Sequence, residues 1–201
     1  MSDIKNQGQG TLFQNPALEA LTKTSPSITL SVYIPIIGLL LYVGYQEEVV
    51  MHLSSAILIF LGAVLFWTLF EYLMHRYVFH FITESELVQK LHYTIHGVHH
   101  EYPRDKERLF MPPVPALIII SVLFTVIYMV MQQYVYIFLP GFLTGYLLYA
   151  FIHYATHSRH YPKFLKPIVR HHSLHHYKYP DKAFGVSSPL WDYIFRSMPP
   201  E

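Results

Sequence analysis

Apolar and polar residues segregate into long blocks along this chain instead of alternating at short range. Residues 1–27 are polar, rich in Gly, Asn, Gln and Pro, with one short amphipathic piece around Leu12-Phe13 and Ala17 to Leu21 that suits a bilayer surface. They lack the basic start and immediate apolar run of a signal peptide. Ile28 to Tyr45 is then almost wholly apolar until Gln46-Glu47-Glu48 closes it. A second apolar run covers about Leu53 to Leu73 and leads into His75. A third covers about Pro115 to Met131 and a fourth about Val135 to Ile152, separated by Gln132-Gln133-Tyr134. Each run has about the length that spans a hydrocarbon core. The pattern predicts an all-α integral membrane protein of one domain, residues 1–201, with four transmembrane helices at about 28–45, 53–73, 115–131 and 135–152. Pro140, Gly141 and Gly145 permit a bend in the last of these. The polar blocks 74–112 and 153–201 are expected to form a helical cap, in which Glu101 to Arg108 reads as a solvated charged turn.

Composition supports this. The chain is 52% hydrophobic and 13% charged, about half the charged share of soluble domains. The connections at 46–52 and 132–134 contain no Lys or Arg; all fourteen lie in 1–27, 76–112 or 153–201. Positive residues stay in the cytoplasm, which places the cap and both termini on that face. A net charge of +1 predicts no nucleic-acid partner. Cysteine is absent, which excludes disulfides, thiolate metal sites and thiol nucleophiles.

Histidine changes the picture most. Thirteen of the 14 histidines lie in 75–100 and 153–176, where an even spread would place three or four. Four fall within Arg170-His171-His172-Ser173-Leu174-His175-His176; on a helix His172, His175 and His176 can line one face. His96 and His100 are four apart with His99 between them, and His153 and His157 are four apart. His75 and His80 are five apart, about 140° off on a straight helix, so they need a bent helix end or serve two different metals. Neutral imidazole is the commonest transition-metal ligand. Ten of them, His75, His80, His96, His99, His100, His153, His157, His172, His175 and His176, exceed what one metal takes and imply two. His92 and His171 stand four before His96 and His175, and spacing leaves their role open. His52 and His160 read as bystanders.

An all-nitrogen set admits iron, zinc, copper or nickel. The clusters lie where two spans emerge, which points to a lipid substrate. An unactivated hydrocarbon needs a redox metal and dioxygen, so two iron ions with O2 as co-substrate are expected, and zinc can replace iron in purified protein. Carboxylates near the centre would offset its charge: Glu71, one turn before His75, is the first candidate, followed by Asp192 and Glu101. The contrasting reading is a metal-transport or metal-storage membrane protein. It calls for polar ligands inside the spans, and these spans have almost none.

The four boxes are His75 through His80, Leu91 through His100, His153 through His157 and His172 through His176. In order and content they resemble the histidine boxes of the fatty acid hydroxylase superfamily, which includes sterol desaturases. Phe184-Gly185-Val186-Ser187-Ser188-Pro189-Leu190-Trp191-Asp192-Tyr193-Ile194-Phe195 resembles the closing motif of its fatty acid 2-hydroxylase branch, and Leu12 through Thr24 the stretch before that branch's first span. The resemblance covers about Leu12 to Pro199. It implies a four-span fold with a cytosolic cap and a ten-histidine dimetal centre that His92 and His171 do not ligate directly. It also implies O2-dependent hydroxylation beside the carboxyl or amide carbon of a free or sphingolipid-linked acyl chain. Alternative reactions within the superfamily are desaturation, sterol oxidation, carotenoid ring hydroxylation and ether-lipid cleavage. Many members carry a fused b-type cytochrome domain. Here about 27 residues precede the first run, so electrons are expected from a separate donor, a b-type cytochrome or a ferredoxin with its reductase.

Overall fold

The computed structural model describes residues 4–49, 52–81 and 83–200, and among these every regular element is helical. In chain order the helices are α1 (Pro16–Ala20), α2 (Pro26–Gln46), α3 (Leu53–Met74), α4 (Glu86–His92), α5 (Val98–Glu101), α6 (Pro113–Met131), α7 (Val135–Thr156), α8 (Lys166–Tyr177) and α9 (Leu190–Ile194). Local sequence explains several starts. Asn15 accepts from the Ala17 and Leu18 amides at 2.9 and 3.3 Å, Ser25 caps α2 through the Ile28 amide, and a proline opens α1, α2 and α6.

Three helical stretches are long and apolar enough to cross a membrane: Pro26–Gln46, Leu53–Phe79 and Lys106–Thr156. The third holds both α6 and α7, joined by a 3₁₀ turn at Gln132–Tyr134. α7 is the central helix. It packs most extensively on α3 and next on α2, burying Leu139, Phe142, Leu143, Tyr146 and Ala150. Tyr33 of α2 stacks on Tyr146 at 4.7 Å, and Trp67 of α3 meets Phe142 edge-on at 4.8 Å. Gly141 and Gly145, read above as permitting a bend, lie in the α3–α7 contact. A Cβ on Gly141 would run into the Phe60 carbonyl and one on Gly145 into the Trp67 ring. Small residues four apart let two helices approach closely. The outer faces stay apolar and exposed, as at Leu58 and Leu65 of α3 and Met129 of α6, which suits a lipid environment.

Two polar segments are docked onto this frame. Glu101 to Arg108 is an anchor, not a free charged turn. The Arg108 side chain is buried, pairs with Glu19 and donates to the Gly10 carbonyl and the Thr22 hydroxyl, both at 2.8 Å, while Lys5 pairs with Glu101 at 2.7 Å. The N-terminal segment is thereby tied to the stretch that follows His96, His99 and His100. The C-terminal tail returns to α3. Trp191 Nε1 donates to Thr68 at 2.9 Å, and Phe195 stacks on Tyr72 at 5.3 Å.

Candidate metal centre

α3 does not stop at His75 but widens into a π turn, His75–Phe79, with the His80 amide donating to the His75 carbonyl at 3.2 Å. Hydrogen bonds to the fifth residue bring residues five apart onto one side. The structure thus takes the bent-helix alternative for His75 and His80. A second π turn, Tyr93–Gly97, links α4 to α5 and presents His96, His99 and His100. His153 lies in the last turn of α7 and His157 caps it, while α8 carries His172, His175 and His176.

These ten imidazoles form two groups of five. One contains His75, His80, His96, His100 and His175, the other His99, His153, His157, His172 and His176, and within each group one nitrogen per ring lies within 4.8 Å of all the others. In the second group the Nε2 atoms close a ring. His99 meets His153 at 3.1 Å, His153 meets His157 at 3.2 Å, His157 meets His172 at 2.9 Å, His172 meets His176 at 3.0 Å and His176 returns to His99 at 3.1 Å. In the first group they form an open series: His75 to His96 at 3.1 Å, His96 to His100 at 2.9 Å, His100 to His175 at 3.2 Å and His175 to His80 at 3.1 Å. The single face expected for His172, His175 and His176 divides. His172 and His176 join one group and His175 the other, because α8 runs between them. His99 parts from His96 and His100 in the same way.

The electrostatics of this arrangement call for a cation. His75 Nδ1 lies 2.5 Å from the Phe184 carbonyl and His175 Nδ1 lies 2.7 Å from the Lys182 carbonyl. A carbonyl only accepts, so both Nδ1 atoms carry the proton and both Nε2 atoms present lone pairs to the group's interior. Burial lowers the rings' basicity as well. His80 is pushed down to about 3 and His96, His99, His100, His157, His172 and His176 fall well below the ordinary imidazole value, with desolvation the first cause and neighbouring histidines the next; His175 is pushed down to about 4 by desolvation, against the opposing pull of the Lys182 carbonyl and Asp192. Neutral, convergent imidazoles are the state that binds transition metals. Ten such donors in two sets fit two ions.

The loop 182–188 orients the first group. Asp192 Oδ1 accepts from the Phe184 amide at 2.9 Å and from Ser197 at 2.7 Å. Its Oδ2 accepts from the Gly185 amide at 2.7 Å and lies 3.0 Å from His171 Nε2. Burial pushes the Asp192 carboxyl up, but these hydrogen bonds prevail and hold it below its ordinary value. Glu71 accepts from the Val186 and Ser187 amides at 3.2 and 2.7 Å and from the Ser187 hydroxyl. Neither acid touches a ring of the two groups; they hold the loop whose carbonyls do. Glu101 is occupied by Lys5 and by Tyr93, at 2.7 Å each. His92 lies outside both groups, 6.1 Å from the Phe81 ring, and His171 sits on Asp192. His52 and His160 are exposed. Residue reasoning did not single out the Lys182 and Phe184 carbonyls. The closing motif pointed to Phe184, which opens it; Lys182 lies before the motif and had no signal.

Residues 60–197 match the family model described as fatty acid hydroxylase. The chain is 32% identical to fatty acid 2-hydroxylase of Mus musculus, over 94% of this chain and 57% of that protein. It is 34% identical to the ceramide very long chain fatty acid hydroxylase of Saccharomyces cerevisiae, over 94% of this chain and 49% of that protein. It is 32% identical to a dihydroceramide fatty acyl 2-hydroxylase of Arabidopsis thaliana, over 93% of this chain and 79% of that protein. It thus spans about half the length of the mouse and yeast proteins. The solved structure of full-length Scs7p, in which only the hydroxylase domain is visible, superposes with a TM-score of 0.87 at 32% identity, covering 96% of this chain and 74% of that one.

Proposed function

The chain belongs to the fatty acid hydroxylase family, and from that premise we propose that it is a membrane di-iron monooxygenase acting on a long fatty acyl chain. Position 2 of a free or sphingolipid-linked acid is the assigned site. The observation that carries this reading is the sorting of ten neutral imidazoles into two five-nitrogen groups at the shared end of α3 and α7. The relatives, a fatty acid 2-hydroxylase, a dihydroceramide fatty acyl 2-hydroxylase and a ceramide very long chain fatty acid hydroxylase, support the substrate class.

We assign all ten histidines as ligands, five to each ion. When bound, two iron ions would supply reductive activation of O2, so that one oxygen atom enters a C–H bond and the other leaves as water with two electrons and two protons. The chain's own part is geometric. Lys182 and Phe184 hold the His175 and His75 rings through their carbonyls, Glu71 and Asp192 hold that loop, and burial keeps the rings neutral and the centre dry. A separate protein donor, a b-type cytochrome or a ferredoxin with its reductase, delivers the electrons.

We also place α6 and α7 as two crossings, giving four in all. A straight helix of 51 residues would be about 75 Å long, over twice the hydrocarbon thickness. Gln132 takes a φ of 48° at the reversal. The Lys and Arg distribution puts the metal centre on the cytoplasmic face. A reporter after Glu48 should then read outside and one after Glu201 cytoplasmic; a C-terminal reporter found outside overturns this orientation.

Mass spectrometry of lipids from cells with and without the protein tests the activity. Acyl chains one oxygen heavier, hydroxylated beside the carboxyl or amide carbon, are expected. Chains lacking two hydrogens would replace hydroxylation with desaturation.

A further inference from the structure

A run of large apolar side chains is exposed just beyond α3. Leu87 is 78% exposed and Leu91 55%, with Ile95 beside them and Tyr77, Val78 and Phe81 on the approach. The Phe81 ring lies 6.1 Å from His92, so the end of α3 and the helix α4 form one surface. α4 and its π turn have three distinct sides. Val88, His92 and His96 face inward. Glu86, Gln89, Lys90 and Tyr93 form a polar flank that shares an open cleft with Thr11 and Leu12 of the N-terminal segment. Leu87, Leu91 and Ile95, four apart in sequence, form the other flank and are covered by nothing among the described residues.

We propose that this apolar flank is seated in the bilayer: α4 lies in the membrane interface, with Leu87, Leu91 and Ile95 among acyl chains and the polar flank in the headgroup layer. The occupant follows from continuity. Exposed apolar side chains run on from Leu73 in the last turns of α3 through Tyr77, Val78 and Phe81 to Leu87 and Leu91, and the one cation beside them, the Arg76 guanidinium 5.1 Å from the centre of the Tyr77 ring, sits at the end of the crossing where lipid headgroups lie. A short helix with one apolar and one polar side beside a crossing is an interfacial element, and Tyr77 and Tyr93 suit the headgroup boundary. The functional consequence concerns His80. It lies between α3 and α4 and is less buried than His75 or His175. The lipid-seated flank is thereby set next to the first histidine group, on the side from which an acyl chain of the bilayer would come. The inference rests on the proposed reading of α3 as a crossing.

The chain has no cysteine, so a single substitution creates the only thiol for a spin label. Leu87→Cys, Leu91→Cys, Gln89→Cys and, as a reference on α3, Leu65→Cys would be labelled in the full-length protein in phosphatidylcholine nanodiscs. Relaxation enhancement by oxygen and by a water-soluble nickel chelate would then be compared. The oxygen-to-nickel ratio at positions 87 and 91 should approach that at 65 and exceed that at 89 severalfold. If 65 reads as lipid while 87 and 91 read as water, the interfacial seat is wrong and the crossing stands. If 65 also reads as water, both fall. Dipolar broadening between labels at 91 would show a second copy of the chain on the patch and would overturn a lipid occupant.

Discussion

The two histidine groups contain the same donor type and number but are held in different ways. In the second group, four of the five rings come as two pairs four apart on regular helix, His153 with His157 and His172 with His176, and the Nε2 atoms close a ring. Its outward nitrogens are poorly supported. His99, His153, His172 and His176 have buried Nδ1 atoms without a hydrogen-bond partner. In the first group, the rings come from a π turn, from the α4–α5 junction and from α8, and two of them are oriented by carbonyls of a loop that Glu71 and Asp192 hold. One site is set by helix periodicity. The other depends on a tertiary loop more than a hundred residues from His75, and should be the more separable of the two.

The contrast can be broken at its strongest point by His99→Ala, which opens the closed ring. Metal content per chain should fall from about two toward one, with loss of activity and a lower Tm, because the centre joins distant segments. Elemental analysis with a thermal melt reads both; a reproducible content of one in the unsubstituted protein would remove the dimetal reading. Asp192→Ala should come next. It strands the Phe184 and Gly185 amides and His171, while the Ser197 hydroxyl keeps Tyr72 at 2.7 Å, costing about 3–5 kcal/mol of stability. It should also weaken metal retention in the first group alone, by about 10–100-fold. A chelator titration checks this. Metal lost in Asp192→Ala should add to that lost in His99→Ala and not to that lost in His80→Ala. Glu71→Gln keeps one acceptor oxygen for the Ser187 side of the loop and should act on the same ion about tenfold more weakly than the wild type holds it. His171→Ala and His92→Ala sharpen the boundary from outside. Both should keep about two metals per chain, with activity reduced but measurable. The His171 change should be mild, since Asp192 retains three other donors. If either loses a metal while His96→Ala or His172→Ala does not, the grouping is wrong. His160→Ala should change neither metal content nor Tm.

Much of the membrane architecture was legible because the hydrophobic effect acts locally on composition: apolar runs of crossing length mark helices wherever they end up. The same holds for the ligand pairs four apart. His96 with His100, His153 with His157 and His172 with His176 each stay within one group, since 3.6 residues per turn fixes their common direction whatever the helix packs against. His75 and His80 were legible only as a question, because i,i+5 spacing is productive on a π turn and not on an α-helix.

The sequence by itself therefore determined which residue types could bind metal, which pairs share a direction, and that the boxes adjoin membrane helices. Tertiary structure decided which of the two groups each imidazole joins. α5 and α8 run between the two groups and contribute to both, so His99 and His175 leave their sequence neighbours, and no periodicity within one helix encodes what lies on either side of it. It also decided the work of Glu71 and Asp192. In the sequence they read as carboxylates that offset the centre's charge, Glu71 from its place one turn before His75; folded, they bind backbone amides of a loop that the chain places there from the far end, and the contact with the rings passes to two carbonyl oxygens. Every residue has such a carbonyl, so no residue type announces it, and only the path of the backbone gives it a role.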